Sequence, residues 1–168
     1  ACRPGPIMAS TDDFHVVVHG RGGHASTPHF GNDPIPVACE MVTALQTMVT
    51  RRIDAFNPAV VTVSKISAGS TFNVIPEAAE LLGTIRTVSD WTRLAVTGGF
   101  ERVVRNVAAA HDCEVDLTMT PGYAVVRNDA EFVGFVHDVT ESVMGEGKYF
   151  ELPSPIMGAE DFGYLLQQ

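Results

Sequence analysis

The sequence predicts an α+β protein built around a ferredoxin-like domain, in which a four-stranded antiparallel sheet carries two helices on one face. Segments with a two-residue hydrophobic period alternate with segments of helical period in the order β-α-β-β-α-β, which is the split βαβ arrangement. A hydrophobic content of 45% over 168 residues is sufficient for a core. The regular alternation of strand and helix segments ends on either side of this ferredoxin-like domain. We therefore expect three parts: residues 1–11, the ferredoxin-like domain at residues 12–121, and residues 122–168.

The first half of the domain consists of a strand, a glycine-rich loop and a helix. Residues 14–19 alternate between two faces, which predicts a strand. After the loop, Asp33 and Pro34 suit the N-cap and the first turn of a helix. Seven apolar residues then recur at helical spacing and predict one buried stripe. They are Ile35, Ala38, Met41, Val42, Leu45, Met48 and Val49.

The second half supplies three further strands and a helix. Residues 60–66 are rich in β-branched side chains, and residues 78–88 and 115–119 also alternate. Ile85 and Arg86 must face opposite sides of their strand, so a buried Ile85 would put Arg86 on the open face of the sheet. Ser89 suits the N-cap of a helix that continues to about residue 111. Its predicted apolar stripe is Leu94, Phe100, Val103, Val104 and Val107. A further amphipathic helix is predicted at residues 129–144.

Composition excludes several classes of function. A net charge of −9 argues against nucleic-acid and anionic-membrane partners, which need a basic surface. Three cysteines without CxxC spacing make neither a disulfide framework nor a zinc knuckle. We expect Cys39 and Cys113 to be small core residues, and we expect a reducing, cytoplasmic setting.

The loop at residues 20–29 carries the first candidate for chemistry, because it presents His24 and His29 directly after glycines. A self-contained metal site would need three or four ligands, and no carboxylate or thiol follows until Asp33. A loop histidine bonded to backbone is a second possibility. We favour a third possibility, in which the exposed His24 side chain contributes to a reaction centre formed by residues outside this loop. With Asn73 and Arg86 it would form a set of donors suited to an oxyanion and a substrate carboxylate.

Six motifs, in their order along the chain, closely resemble the two-metal amidohydrolases and metallopeptidases that include aminoacylases, hippurate hydrolases and plant auxin-conjugate hydrolases. Together they cover nearly the whole chain. They are Arg3-Pro4-Gly5-Pro6-Ile7-Met8-Ala9, Gly20-Arg21-Gly22-Gly23-His24-Ala25-Ser26 with Pro28-His29, Asp33-Pro34-Ile35, Phe72-Asn73-Val74-Ile75-Pro76, Gly83-Thr84-Ile85-Arg86-Thr87 and Met157-Gly158-Ala159-Glu160-Asp161-Phe162.

The resemblance implies a catalytic domain with two divalent metals, zinc or manganese, and an inserted ferredoxin-like lid through which the protein forms a homodimer. Residues 12–121 match the lid, and residues 1–11 and 122–168 match catalytic-domain fragments. It also implies that His24 stabilises the oxyanion in the partner subunit's site. Asn73 and Arg86 would bind the substrate, and Arg86 would pair with the carboxylate of the substrate. His29 is a secondary substrate-binding candidate.

The motifs that carry the family's metal ligands and general base are not present in this sequence. We therefore expect a longer parent protein that cleaves the amide of N-acyl amino acids or related small amides, and a chain that alone neither binds the metals nor hydrolyses substrate. Two alternatives differ in class. One is a non-enzymatic ferredoxin-like module for dimerisation or small-ligand binding; the other is a metal-binding protein that uses His24 and His29.

Overall fold

A computed structural model describes residues 1–166. Its central domain has the order of strands and helices that the alternation and capping patterns predict. The last two residues of the predicted segment 122–168 lie outside this range. Eight strands and four α-helices occur in the described residues. The strands are β1 (Gly5–Met8), β2 (Ser10–His19), β3 (Gly23–His24), β4 (Ala59–Ala68), β5 (Val74–Ile75), β6 (Ala78–Thr87), β7 (Glu114–Pro121) and β8 (Val126–Asn128). The helices are α1 (Pro34–Arg52), α2 (Asp90–Ala110), α3 (Ala130–Met144) and α4 (Phe162–Leu165).

Four of the strands form the antiparallel sheet of the central domain, in the order β4-β6-β2-β7. This order, with α1 and α2 as the crossovers, confirms the ferredoxin-like arrangement. Strand β2 begins four residues earlier than the alternation predicts, because Ser10 and Asp12 are buried polar residues on its core face. The core of the domain lies between the sheet and the two helices, and Phe14 and Phe100 stack at its centre with ring centroids 4.5 Å apart.

Both helices begin where their caps predict. The Asp33 carboxylate accepts a hydrogen bond from the Ile35 backbone N–H, and the Ser89 hydroxyl accepts one from Thr92. One glycine of the pair in α2 has a packing role. A Cβ atom on Gly99 would lie 3.0 Å from the Met48 sulfur of α1, so the glycine allows the two helices to approach closely.

Three predictions about buried residues are wrong. Ile35 was expected in the apolar stripe of α1, but it is 37% exposed because Val37 and Ala38 are the core-facing residues of that turn. Leu94 was expected in the apolar stripe of α2, but it is 74% exposed because Val96 and Phe100 occupy the core-facing positions instead. Cys39 was expected in the core, but it is exposed because its neighbours Ala38 and Met41 are the core-facing residues of α1. Cys113 is buried as predicted, and this burial raises the pKa of its thiol.

The two segments that leave the sheet are held together at the domain boundary. The backbone of Thr11 bonds to Gly122 and Tyr123, and the Arg93 guanidinium donates to the carbonyl oxygens of Thr11 and Gly122. Arg93 also forms two bonds to the buried Asp12 carboxylate, at 2.9 and 2.6 Å, and this contact raises the Arg93 pKa. Outside the contacts of Thr11 and Arg93, β1 pairs with β8 in a separate two-stranded sheet.

Helix α3 leaves most of its apolar residues uncovered in this chain. Only Val133 is buried, and Phe132, Phe135 and Val143 are 62%, 60% and 78% exposed. Over the described residues, no helix is both long enough and apolar enough to span a membrane.

Candidate functional site

A short two-stranded ribbon carries two of the predicted site residues, His24 and Asn73. Strand β3 pairs with β5 in antiparallel register, with His24 opposite Val74 and Gly23 opposite Ile75. The Ala25 N–H then donates to the carbonyl oxygen of Asn73 at 3.0 Å. We call this pair of strands with Ala25 and Asn73 the β3–β5 ribbon. It brings together two loops that are about fifty residues apart in the sequence.

Hydrogen bonds fix the base of the ribbon to the central domain. Arg21 and Asn32 exchange two backbone hydrogen bonds of 2.8 Å across the base of the glycine-rich loop. The side-chain amide of Asn32 then donates to the carbonyl oxygens of His111 and Asp112, at 3.1 and 3.0 Å. These contacts join the loop to the end of α2. The base of the ribbon is therefore fixed while its tip faces solvent.

The His24 side chain lies at the exposed tip, as the sequence predicts. Its Nδ1 atom is 2.8 Å from the Ser26 hydroxyl oxygen and 3.2 Å from the Ser26 backbone nitrogen. Its Nε2 atom makes no hydrogen bond to the described residues. An open groove of about 450 Å³ runs beside the ring and is lined in part by Val74, Ile75 and Pro76. A mostly apolar groove with a polar group at one end suits a small molecule or a protein segment.

Asn73 and its neighbour Phe72 are both exposed beside His24. The Thr71 hydroxyl is 3.4 Å from the side-chain oxygen of Asn73, and the Asn73 amide nitrogen has no hydrogen-bond partner among residues 1–166, so it can donate to a ligand. Phe72 is 96% exposed, so an aromatic ring projects next to the amide.

Arg86 lies on the open face of the sheet, as predicted from the burial of Ile85. It is not close to His24 in the same chain, contrary to the expectation of a single cluster. Arg86 is eight residues from Ala78 along β6, or roughly 26 Å at the usual rise of a strand. The ribbon adjoins the Ala78 end of the sheet, because β5 ends three residues before Ala78 and β3 begins four residues after His19, the residue paired with Ala78. Alternation shows which face of the sheet a residue lies on, but the distance between two residues on that face depends on how the strands are paired.

His29 lies four residues beyond the ribbon, in a 3₁₀ turn at Pro28–Phe30. It is exposed, and its ring packs on Phe30 with centroids 4.2 Å apart. The structure therefore places His29 near the ribbon but not in it.

Four other histidines have carboxylate partners that the sequence analysis missed. His15 bonds to Glu80 at 2.7 Å across the open face, and this bond, together with those from Ser67 and Lys65, lowers the pKa of Glu80. Three of the four pairs join residues that are far apart in the sequence, so only the strand register or the packing of α1 beside the end of α2 reveals them; the fourth joins sequence neighbours on α3. The other three pairs are His19–Asp116, His111–Glu40 and His137–Asp138.

The described residues contain no group of three or more histidine, cysteine or carboxylate side chains that could hold a metal ion. His24 and His29 therefore have no third protein ligand in this part of the chain. The two-metal centre that the family resemblance implies does not fit the residues described.

A sequence profile of the M20 peptidase dimerisation domain matches residues 11–112. An N-acetyldiaminopimelate deacetylase from a Geobacillus species is 37% identical over 168 residues, which are 100% of this chain and 44% of that protein. The hippurate hydrolase of Campylobacter jejuni is 33% identical, over 98% of this chain and 43% of the relative. The chain thus spans less than half the length of the curated relatives it matches.

Solved structures agree with the sequence matches. A protein from methicillin-resistant Staphylococcus aureus, with a provisional aminohydrolase assignment, has a TM-score of 0.88 and 30% identity over 98% of this chain and 42% of that chain. A Bacillus subtilis protein described as a dinuclear metal binding peptidase from the M20 family has a TM-score of 0.76 and 28% identity, over 98% of this chain and 40% of that chain.

Proposed function

Because this chain belongs to the M20 peptidase dimerisation-domain family, we propose that it is the lid and part of the catalytic domain of an amidohydrolase that cleaves N-acyl amino acids. Relatives over its whole length are named for the removal of acyl groups from amino acids, including N-acetyldiaminopimelate and N-acetylcysteine. These relatives favour an enzyme over a non-enzymatic dimerisation or ligand-binding module. The three free thiols suit a cytoplasmic setting.

The proposed division into domains is supported by the uncovered surface of α3. Residues 12–121 would be the lid, and residues 1–11 and 122–168 would be parts of the catalytic domain. The apolar side chains of α3 are exposed in this chain, and they would be buried by the rest of that domain. The two metal ions would be held by residues of the parent protein outside this chain, since the described residues lack the ligands.

The observation that carries the proposal is the rigid, exposed presentation of His24 on the β3–β5 ribbon. Hydrolysis of an amide passes through a tetrahedral intermediate whose oxygen becomes negatively charged. A fixed N–H donor directed at that oxygen stabilises it more than it stabilises the substrate. His24 has an uncommitted Nε2 atom at the ribbon tip, and Asn73 offers an amide beside it.

The separation of Arg86 from the ribbon supports a site composed from two subunits. Within one chain, roughly 26 Å separate Arg86 from the ribbon end of the sheet, which is too far for both to contact one small substrate. A two-fold dimer can bring the ribbon of one lid to the Arg86 end of the other. We propose that Arg86 binds the carboxylate of a substrate in its own subunit, while His24 and Asn73 come from the partner. His29 would contact the substrate from the same side as His24.

The test of His24 uses the parent enzyme. His24→Ala is expected to lower kcat by roughly 10²–10³-fold, the usual effect of losing one oxyanion donor. Metal content and dimerisation should be unchanged. His111→Ala is the matched control, because it removes an exposed histidine that bonds to Glu40 at the end of α2. Equal activity of the two variants would refute the assigned role.

The test of the composite site mixes His24→Ala subunits with Arg86→Ala subunits. If the two residues serve one site from different chains, each heterodimer regains one intact site, so random pairing restores about a quarter of wild-type activity. If both residues serve a site from the same chain, every site keeps a defect and no activity returns. That second result would leave the His24 role intact but would refute the arrangement.

A further inference from the structure

Ser26 makes two contacts to one atom of His24. Both its backbone nitrogen, at 3.2 Å, and its hydroxyl oxygen, at 2.8 Å, lie within hydrogen-bond distance of Nδ1. A backbone N–H can only donate. The Nδ1 atom must therefore be the acceptor, and the Ser26 hydroxyl must donate to it as well.

This arrangement selects one tautomer of the neutral ring. When Nδ1 accepts, the ring hydrogen lies on Nε2. Nε2 is the ring nitrogen that has no partner in the described residues and is free to donate. In the other tautomer, Nε2 would present a lone pair, which repels an oxyanion.

We propose that Ser26 is a positioning residue for the reaction, which holds His24 in the tautomer and orientation that direct an N–H at the substrate. The inference rests on the proposed function of His24. Ser26 itself need not touch the substrate. The serine of the glycine-rich motif thereby gains a role that its position alone does not reveal.

The loop has other contacts that keep its shape without the Ser26 hydroxyl. The Thr27 N–H donates to the His24 carbonyl oxygen at 3.0 Å, and the Ala25 N–H donates to Asn73. In the part of the chain that the structure describes, the hydroxyl bonds only to the His24 ring. Removing it should therefore take away the shorter of the two hydrogen bonds to Nδ1 and leave the backbone in place.

The first measurement is the tautomer of His24 in this chain, from the long-range ¹H–¹⁵N NMR spectrum of its imidazole. We expect the Nε2–H form in the wild type and a larger population of the Nδ1–H form in Ser26→Ala, which loses the shorter bond to Nδ1 and keeps only the backbone donor at 3.2 Å. Ser26→Thr keeps a hydroxyl and should restore the wild-type spectrum. Thr27→Ala removes the adjacent hydroxyl, which points to a backbone oxygen, and should leave the spectrum unchanged.

The second measurement is the kinetics of the same variants in the parent enzyme. Ser26→Ala should lower kcat about three- to tenfold, the effect of one neutral hydrogen bond, with little change in KM. Thr27→Ala should retain wild-type kcat, and Ser26→Thr should recover most of it.

Three results would overturn the inference. They are a wild-type His24 with its hydrogen on Nδ1, an unchanged tautomer in Ser26→Ala, and a kcat for Ser26→Ala equal to that of Thr27→Ala. The spectrum does not depend on the reaction. If His24→Ala were fully active while the tautomer followed Ser26, the proposed function would fail and the hydrogen-bond geometry would stand.

Discussion

Gly83→Ala tests the packing on which the position of Arg86 depends. Gly83 lies on the core face of β6, opposite a bulge in β4 between Val63 and Lys65. A Cβ atom built on Gly83 would overlap the Thr62 carbonyl oxygen of β4 and the Phe14 ring. The backbone oxygen cannot rotate away as a flexible side chain could. The strand or the ring must therefore move.

Both ways of relieving the overlap are costly. Moving β4 away from β6 lengthens one or two ladder hydrogen bonds, each worth about 1 kcal/mol. Turning Phe14 disturbs its stacking on Phe100, which is worth about 1 kcal/mol beyond the buried area. We expect a total loss of about 3 kcal/mol, at the upper end of the usual range for overpacked cores.

Urea unfolding followed by far-UV circular dichroism measures the loss. Gly98→Ala is the control, since it makes the same chemical change in α2, where Gly98 is exposed and a Cβ would meet nothing within 4 Å. That variant should gain about 1 kcal/mol from helix propensity. A stability of Gly83→Ala within about 0.5 kcal/mol of wild type, the usual range for neutral surface changes, would refute the packing argument.

Three further predictions concern the rest of the chain. Arg93→Gln leaves the buried Asp12 carboxylate unpaired and should cost about 3–5 kcal/mol in urea unfolding; a double variant that also carries Asp12→Asn should lose less. The backbone N–H groups of Tyr149 and Gly147 lower the pKa of Glu141, so the stabilisation is present above the ordinary carboxyl pKa and lost as the pH falls through the lowered value. The protection factor of the Tyr149 amide, which corrects for the intrinsic pH dependence of exchange, should therefore fall in acid, and Glu141→Gln should abolish this dependence. A thiol reagent should modify the exposed Cys39 much faster than Cys113, whose pKa burial raises; equal rates would contradict the assigned burial.

Local sequence patterns were sufficient to predict the central domain. Asp33 and Ser89 mark helix starts because their side chains satisfy backbone donors two or three residues away. Alternation gave the face of Arg86 because the strand period is two. The same local rules failed for Leu94, since a stripe drawn from apolar residues alone does not show where the neighbouring helix and sheet lie. The length of β2 was also underestimated, because Asp12 is buried by an ion pair with a distant residue.

The candidate site was only partly predictable, because its geometry depends on register. His24 and Asn73 are brought together by pairing of two short strands, which no hydrophobic period indicates. Arg86 shares a face with other polar residues but stands at the opposite end of the sheet from the ribbon. A motif gives residue types and their spacing in sequence, whereas the distance between two motifs depends on which strand ends adjoin.

The hydrogen-bond partners of the histidines separate His24 from most of the others more sharply than exposure does. Four histidines contact carboxylates, and one of them, His137, does so through Nδ1. A carboxylate at a ring nitrogen accepts, so it holds a hydrogen on that atom. A serine that donates to Nδ1 has the opposite effect and moves the hydrogen to Nε2. Replacing Ser26 by Asp should therefore shift His24 toward the Nδ1–H tautomer, against the backbone N–H of residue 26, and present a lone pair at the ribbon tip in that form. On this reasoning, Ser26→Asp should lower kcat more than Ser26→Ala, although it restores a hydrogen-bonding side chain; a Ser26→Asp enzyme as active as Ser26→Ala would show that the direction of the bond to Nδ1 does not matter.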